Sequence, residues 1–433
     1  MRQPGPYRGY LLALLTILLL FNYLDRVALG LLLQDIKSDL HLTDTELGFL
    51  GGIAFAIFYS VMGIPIARWA DRGNRVTIIS LAAAVWSAMV ALCGWAGTFV
   101  QLLLIRVGVA VGEAGCTPPA FSLMADYFSR AERPRATAIY GMGGAASTVV
   151  GFFLAGRLRD LYGWRTTFVL LGLPGLALAT LARFTLKEPR RATGVLKAVP
   201  LAAQPDMLEV ATKLWTNDTF RHLLLSFSVV MFFFYGVLQW QPTFFIRSYG
   251  FSTGALGTWL ALTWGLGCLL GSYLGGELSS RYAAHNECLQ LKVMAVAVAL
   301  SGVMSTLVYL SSDQHIAFGL VAVSFVGLAT VNGPLFATIQ TLVPEEMRAV
   351  SFALVYLVAN LLGMGLGPLL VGVLSDAFRP WAGEESLRYA LLMTAPGYLW
   401  GAWHAWRASQ TVARDVPAAP VDQGRAANSQ GGR

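Results

Sequence analysis

Long unbroken runs of apolar residues constrain this chain more than any other feature. About twenty such residues cross the ~30 Å hydrocarbon layer of a bilayer. Twelve runs of that kind can be delimited, at 9–33, 46–69, 76–97, 100–125, 135–157, 166–186, 221–246, 254–279, 289–311, 315–341, 348–375 and 386–408. Within a bilayer each backbone N–H and C=O must be satisfied internally, so only helices and closed barrels span it. Barrel strands would read as alternating segments of about ten residues, whereas these runs are longer, continuous and rich in Leu, Ala and Gly. The expected fold is an all-α membrane protein of twelve transmembrane helices. With only 13% of residues charged, against about a quarter in soluble proteins, a soluble globular enzyme is excluded.

A formal charge of +7 raises the question of a nucleic-acid partner, and the placement of the charges answers it. With the N-terminus in the cytoplasm, 22 of the 31 Lys and Arg fall in inside segments and 7 in outside loops, while Arg26 and Arg106 lie within apolar runs. This is the positive-inside asymmetry of a membrane protein, so lipid rather than nucleic acid is the expected partner. The densest cluster, Lys187, Arg190, Arg191, Lys197, Lys213 and Arg221, meets lipid headgroups at most. Arg157, Arg159 and Arg165 break the pattern and are read as local structure. The expected location is a cell membrane, the bacterial inner membrane, with both termini cytoplasmic. The first run exceeds a signal-peptide core and counts as helix one. Cys93, Cys116 and Cys268 fall in spans and Cys288 in an inside loop, a spacing that builds neither a metal site nor a disulfide framework. No metal or cofactor is expected.

The polar stretch 187–219 divides the runs six plus six. The expected organisation is an N-terminal bundle at 1–186, a cytoplasmic linker at 187–219, a C-terminal bundle at 220–410 and a disordered tail at 411–433. The halves repeat one another. Run two ends Ala67-Arg68-Trp69-Ala70-Asp71-Arg72 and run eight Gly276-Glu277-Leu278-Ser279-Ser280-Arg281. Gly151, Gly156, Leu158 and Asp160 of run five recur as Gly367, Gly372, Leu374 and Asp376 of run eleven. Parallel six-helix repeats form two bundles that rock about a midplane site.

On these features the chain resembles a major facilitator superfamily transporter over 9–408. Asp71-Arg72-Gly73-Asn74-Arg75 is similar to the superfamily's signature loop, with Ala67, Asn74 and Val76 as departures, and Gly163-Trp164-Arg165 is another common element. Asn22-Tyr23 with Asp25-Arg26, and Arg106 with Gly112-Glu113-Ala114, resemble two families: most of all the spinster family of lipid transporters, then the anion:cation symporters of organic acids. The resemblance implies a conformational latch between the bundles at Asp71, Arg72 and Arg75, which Asp126 would complete. It also implies a lipid-like substrate.

The residues themselves direct attention to the first bundle. An ionisable group at the centre of a span costs at least ~2.5–3.5 kcal/mol, and four are present: Asp25, Arg26, Arg106 and Glu113. Arg106 and Glu113 are seven residues apart, nearly two full turns, and therefore share a helix face. Asp25 and Arg106 are expected at one depth. Asp25 and Glu113 are read as proton carriers, with Arg106 and Arg26 as partners that release to an anionic group when a carboxylate is protonated. The second bundle has no mid-depth carboxylate. It offers aromatic and amide surface: the Phe232–Tyr235 run, read mainly as packing, and Gln239, Gln241, Asn332, Tyr356 and Asn360 as substrate contacts. His41, His222, His285, His315 and His404 are expected at solvated span ends.

The expectation is thus a proton-coupled secondary transporter, monomeric, with protons as the coupling ion. It would carry an amphiphilic, lipid-like anion or zwitterion of sphingolipid or lysolipid type, by alternating access and in the export direction. The alternative is a proton symporter of small organic anions such as sugar acids, and a remote one an intramembrane enzyme. No Gly-x4-Gly-Lys-Ser/Thr loop is present to bind ATP.

Overall fold

A computed structural model describes residues 5–129, 132–189, 207–282 and 286–416, and among these every regular element is helical. Ten helical segments are long and apolar enough to cross a membrane. Two of them, Arg135–Thr185 with 51 residues and Val350–Asp415 with 66, are far too long for one crossing, since at 1.5 Å per residue they would reach about 75 and 100 Å. Each turns back on itself at a glycine with positive φ, Gly163 at 75° and Gly383 at 57°. Among the described residues the chain therefore makes twelve crossings, and both described ends lie on one face.

The first span is one helix, α1 (Gly5–Leu40). The second is broken at Gly52 into α2 (Asp44–Gly51) and α3 (Ile53–Arg72). It opens with a capping box in which Thr43 and Glu46 satisfy each other's backbone N–H groups. The third span is α4 (Arg75–Cys93), and the fourth is α5 (Phe99–Ala114) and α6 (Thr117–Tyr127). The fifth and sixth form α7 (Arg133–Thr185) around Gly163. After the short α8 (Met207–Thr216) come α9 (Asp218–Tyr249), α10 (Thr253–Tyr282) and α11 (Glu287–Leu310), the seventh to ninth spans. The tenth is α12 (Gln314–Ala329) and α13 (Asn332–Leu342). The eleventh runs from α14 (Glu345–Ala359) through a π-helical turn at Asn360–Leu366 into α15 (Gly367–Ala382). The twelfth is α16 (Ser386–Thr394) and α17 (Gly397–Asp415). Spans four and ten break at equivalent points, before Pro118 and Pro334, which are separated by the same offset as the Asp160 and Asp376 repeat.

Two details depart from the expected organisation. The last helix continues to Asp415, where Thr219 donates to Asp415 from its backbone at 3.0 Å and its hydroxyl at 2.9 Å. Residues 411–415 are thus ordered by contact with the start of the seventh span, while 417–433 lie outside the described residues. Within the expected linker, Met207–Thr216 is helical and 190–206 lie outside the described residues.

The bundles meet along two seams, span two on span eleven and span five on span eight. Small residues let the backbones approach closely. A Cβ on Gly257 would fall 2.4 Å from the carbonyl oxygen of Phe152, and one on Gly48 2.6 Å from that of Pro368. The seam of spans two and eleven runs from Asp44 and Gly372 through Gly48 and Pro368 to Ala56 and Gly365 near mid-depth. Toward the face bearing the termini the spans part, leaving Val61, Ile64, Met142, Tyr273 and Tyr356 exposed. The molecule is closed on the far face and open on the face of the termini.

Candidate transport site

The open cleft ends at the four charged residues of the first bundle. Asp25 and Arg26 are neighbours on α1, so their side chains leave the helix about 100° apart and find different partners. Arg106 donates from Nη1 to Asp25 Oδ2 at 2.7 Å, and both residues are 1% exposed. The shared depth inferred from helix rise is realised as contact. Arg26 donates to Glu113 Oε2 from Nε at 2.8 Å and from Nη2 at 2.5 Å. Arg26 therefore faces neither headgroup nor loop. Both pairs tie helix one to helix four, and each charge is compensated where solvent cannot do so.

Arg26 also reaches the other bundle, since its Nη1 lies 3.5 Å from Met364 Sδ in the π-helical turn of span eleven. Rings of Tyr23, Phe55 and Tyr59 surround its guanidinium, and Phe55 lies 5.1 Å from that of Arg106. Several buried polar atoms here have no hydrogen-bond partner: both amide atoms of Asn22, Asp25 Oδ1, Arg106 Nε and Glu113 Oε1. Such atoms cost free energy when left unmet. The polar capacity of this cluster is thus only partly used by its two ion pairs.

The second bundle presents less of its expected surface. Tyr356 is half-exposed in the cleft, stacked on Phe336 and edge-on to Phe227, and Phe352 joins Phe336 from the next turn. Asn360 Oδ1 accepts from Tyr235 Oη at 3.5 Å at the start of the π-helical turn. Asn332 is exposed at the break in span ten. Gln239 and Gln241 do not serve as expected. Gln239 donates to the carbonyl of Leu47 at 3.1 Å and fills the space above Gly51, so it cements the seam. Gln241 accepts from Trp264 Nε1 at 2.9 Å and donates to Tyr309 Oη at 3.4 Å, deep within its own bundle. Both amides cost too much in an apolar interior to stay unpaired, and both found protein partners. Of the aromatic run, Phe233 packs on Tyr398 and Phe234 on Phe325.

The far face carries a clamp that the sequence reading missed. Asp44, fully buried, accepts Lys37 Nζ at 2.5 Å, Arg247 Nη1 and Nη2 at 2.7 and 2.8 Å and Ser375 Oγ at 2.7 Å. Arg247 and Ser375 belong to the second bundle, so one carboxylate joins both. Beside it Asp376 caps α2, accepting from the backbone N–H of Asp44 and Thr45 at 3.1 and 2.7 Å and from the Thr45 hydroxyl at 2.7 Å. Its repeat partner Asp160 does the same across the other seam, accepting from Gly254 N at 3.2 Å at the start of α10. A negative charge at a helix N-terminus is stabilised by its free N–H groups and dipole. The repeated aspartates were visible in the sequence; that each caps the other bundle's second helix was not. Arg159 with Asp35, at 2.5 Å, and Arg165 with Asp39, at 2.8 Å, confirm the local role of those arginines.

On the open face Arg75, one of the expected latch residues, is held within the first bundle. Arg75, fully buried, donates to Asp126 Oδ2 at 2.6 Å, to the Ser122 carbonyl at 2.8 Å and to Glu188. Asp126 thus pairs with Arg75. Arg72 is exposed, and the side chain of Asp71 lies outside the described residues. Of the histidines, His404 departs from the expected solvated end: it is buried, its Nδ1 2.9 Å from that of His222, in a setting made by Trp400 and Trp403. His285 lies outside the described residues.

Comparison with known proteins places this geometry. The chain is 31% identical to an MFS-type efflux pump of Mycolicibacterium smegmatis, over 95% of each chain. It is 25% identical to the hexuronate transporter of Bacillus subtilis, over 86% of this chain and 89% of that one. Its structure is similar to that of a bacterial homologue of the human lysosomal transporter Spinster in an inward-facing, unoccupied conformation. The TM-score is 0.87 at 29% identity, covering 97% of this chain and all of that one. These relatives are transporters, which removes the intramembrane enzyme. With residues 15–368 matching the family model of the Major Facilitator Superfamily, the chain belongs to that superfamily and is a multi-pass membrane transporter related to the Spinster structures.

Proposed function

We propose that this transporter couples proton movement to the carriage of an amphiphilic, lipid-like anion or zwitterion of sphingolipid or lysolipid type. The observation that carries the proposal is the pair of buried carboxylate–guanidinium contacts at the end of the cleft, one of which touches the second bundle through Met364. A proton on Glu113 neutralises the partner of Arg26 and frees its guanidinium for a phosphate or carboxylate, for which the planar fork is suited. A proton on Asp25 does the same for Arg106. Because Arg26 lies between the bundles, its change of partner alters the contact on which they rock. The half-exposed Tyr356 with Phe227, Phe336 and Phe352 offers apolar surface for a tail on the opposite wall.

In this reading the face of the termini is cytoplasmic, the membrane is the bacterial inner membrane and the cleft is open to the cytoplasm. Export then exchanges one entering proton for each substrate leaving. A potential of 100 mV supplies ~2.3 kcal/mol per charge moved, enough for about a fifty-fold gradient of a substrate without net charge. In the opposite conformation Asp71, Arg72, Arg75 and Asp126 latch the cytoplasmic face.

A second reading, proton-driven uptake of a small polar anion such as a sugar acid, draws on the similarity to the hexuronate transporter. Affinity along a series of one headgroup with lengthening tails separates the two. Each methylene that enters the cleft should add up to ~0.8 kcal/mol. A flat series, or tighter binding of the tail-less headgroup, would replace the lipid with the organic acid.

A further inference from the structure

The surroundings of Arg26 fit a different cation better than they fit arginine. Its Cζ lies 4.6 Å from the ring centroid of Tyr23, 4.7 Å from that of Phe55 and 4.8 Å from that of Tyr59. Aromatic faces attract any cation within about 6 Å, and cages of several rings recognise organic ammonium groups. Behind the rings stands Glu113, fully buried. A carboxylate matched to a guanidinium takes its two parallel N–H bonds on two oxygens. Here Nε and Nη2 both point at Oε2, while Oε1 has no hydrogen-bond partner and Nη1 meets the weak acceptor Met364 Sδ. One turn back on α1, Asn22 is fully buried with neither amide atom bonded. The cage supplies negative faces and one carboxylate, and little that reads a planar fork. Arg26 is also the member of the two ion pairs nearest the cleft, its side chain 13% exposed against 0% for Glu113 and 2% for Arg106 and Asp25.

We propose that Tyr23, Phe55, Tyr59 and Glu113 form a site for an organic ammonium group of the substrate, which Arg26 occupies as a tethered stand-in. When the substrate enters, its ammonium takes the place of the guanidinium over the rings and against Glu113, so the buried carboxylate keeps a counter-ion in the loaded carrier. The released guanidinium turns into the cleft on its flexible stem and meets the substrate's anionic group. One cation replaces another while the substrate is bound, and Glu113 takes its proton in the substrate-free carrier, after the ammonium has left. A zwitterion completes both halves of this exchange, whereas a plain anion draws Arg26 away and leaves Glu113 uncompensated unless it is protonated. The inference rests on the cleft being the transport site and selects, among the headgroups considered above, those with an ammonium. It makes no use of the tail.

The test compares a short-chain acylcholine with its uncharged isostere, in which carbon replaces the nitrogen, for binding to the full-length protein. Arg26→Gln removes the stand-in, so acylcholine should bind at least ~10-fold more tightly to this variant than to the wild type, with the isostere unchanged. Tyr59→Leu in the same background should return most of that gain. Equal affinity for acylcholine and isostere in both wild type and Arg26→Gln would overturn the proposal. If Arg26→Gln is unstable because Glu113 is left alone, acylcholine should restore its melting temperature and the isostere should not; equal rescue or none would equally overturn it. The tail series on an anionic headgroup reads the lipid proposal separately. Tail dependence without ammonium preference sinks the cage alone, and ammonium preference with a flat tail series sinks the lipid alone.

Discussion

The two bundles have the same six-helix plan, the same breaks in their fourth spans and the same aspartate at the end of their fifth, yet among the described residues only the first buries charge at mid-depth. Asp25, Arg26, Arg106 and Glu113 pair within it, while at the same depth the second presents Met364, Asn360, Tyr235 and Tyr356. Where the repeats agree, the residues hold the bundles together: Asp160 and Asp376 each cap a helix of the other half. Where they differ, Asp44 clamps the far face through Arg247, and the four charges of the first bundle lie at the end of the cleft.

The largest expected effect would break this contrast outright. Asp25→Asn and Glu113→Gln should each abolish transport driven by a pH gradient while leaving substrate counterflow in proteoliposomes at least partly intact. Asn360→Ala, at the matching depth of the second bundle, should shift substrate affinity by less than ~10-fold and leave coupling to protons in place. If both carboxylate variants still move substrate against a gradient in response to ΔpH, or if Asn360→Ala uncouples, the one-sided assignment is wrong.

Next in size is the stability of the first bundle. Arg106→Ala leaves Asp25 buried without its partner, and loss of one member of such a pair costs ~3–5 kcal/mol. The variant should be inactive and melt at a markedly lower temperature. Replacing both members with apolar residues, Asp25→Leu with Arg106→Met, should recover much of the melting temperature without restoring flux, because well-packed apolar pairs are tolerated where a lone charge is not. Recovery of flux in the double variant would reduce the pair to a clasp.

The smallest effect concerns the part the bundles share. Asp376 accepts three hydrogen bonds across its seam and Asp160 one from Gly254 across the other. A hydrogen bond to a charged group contributes about 1.5–3 kcal/mol, so Asp376→Asn should loosen the closed face more than Asp160→Asn. Distances between spin labels on the far ends of the bundles should show a larger open fraction for the first. Equal shifts would mean that the two caps carry the same load despite their geometry.

Much of this was legible in the chain itself. The twelve crossings follow from apolar runs that only helices can carry through a bilayer, and the repeat follows from matched glycines and aspartates. The four charges identified themselves by their cost, and helix rise alone placed Asp25 opposite Arg106. Gln239 and Gln241 misled because an amide in a span announces only that it needs a partner. Both partners, the Leu47 carbonyl and the Trp264 indole, come from other spans. Asp44 and Arg247 went unnoticed for the converse reason: at span ends charges are ordinary, and nothing local distinguishes one that is fully buried between two bundles.

What the sequence determined is what depends on neighbours along the chain and on the membrane as solvent: spans, their order, the repeat and the expense of each buried charge. What only the tertiary structure decided is pairing and access. Asp25 takes Arg106 and Arg26 takes Glu113, Arg26 alone of the four touches the other bundle, and the far face is clamped while the face of the termini stands open. These depend on how two nearly rigid bundles are set against each other. That arrangement is a balance of long-range contacts a few kcal/mol deep, and one amino-acid sequence supports more than one such setting.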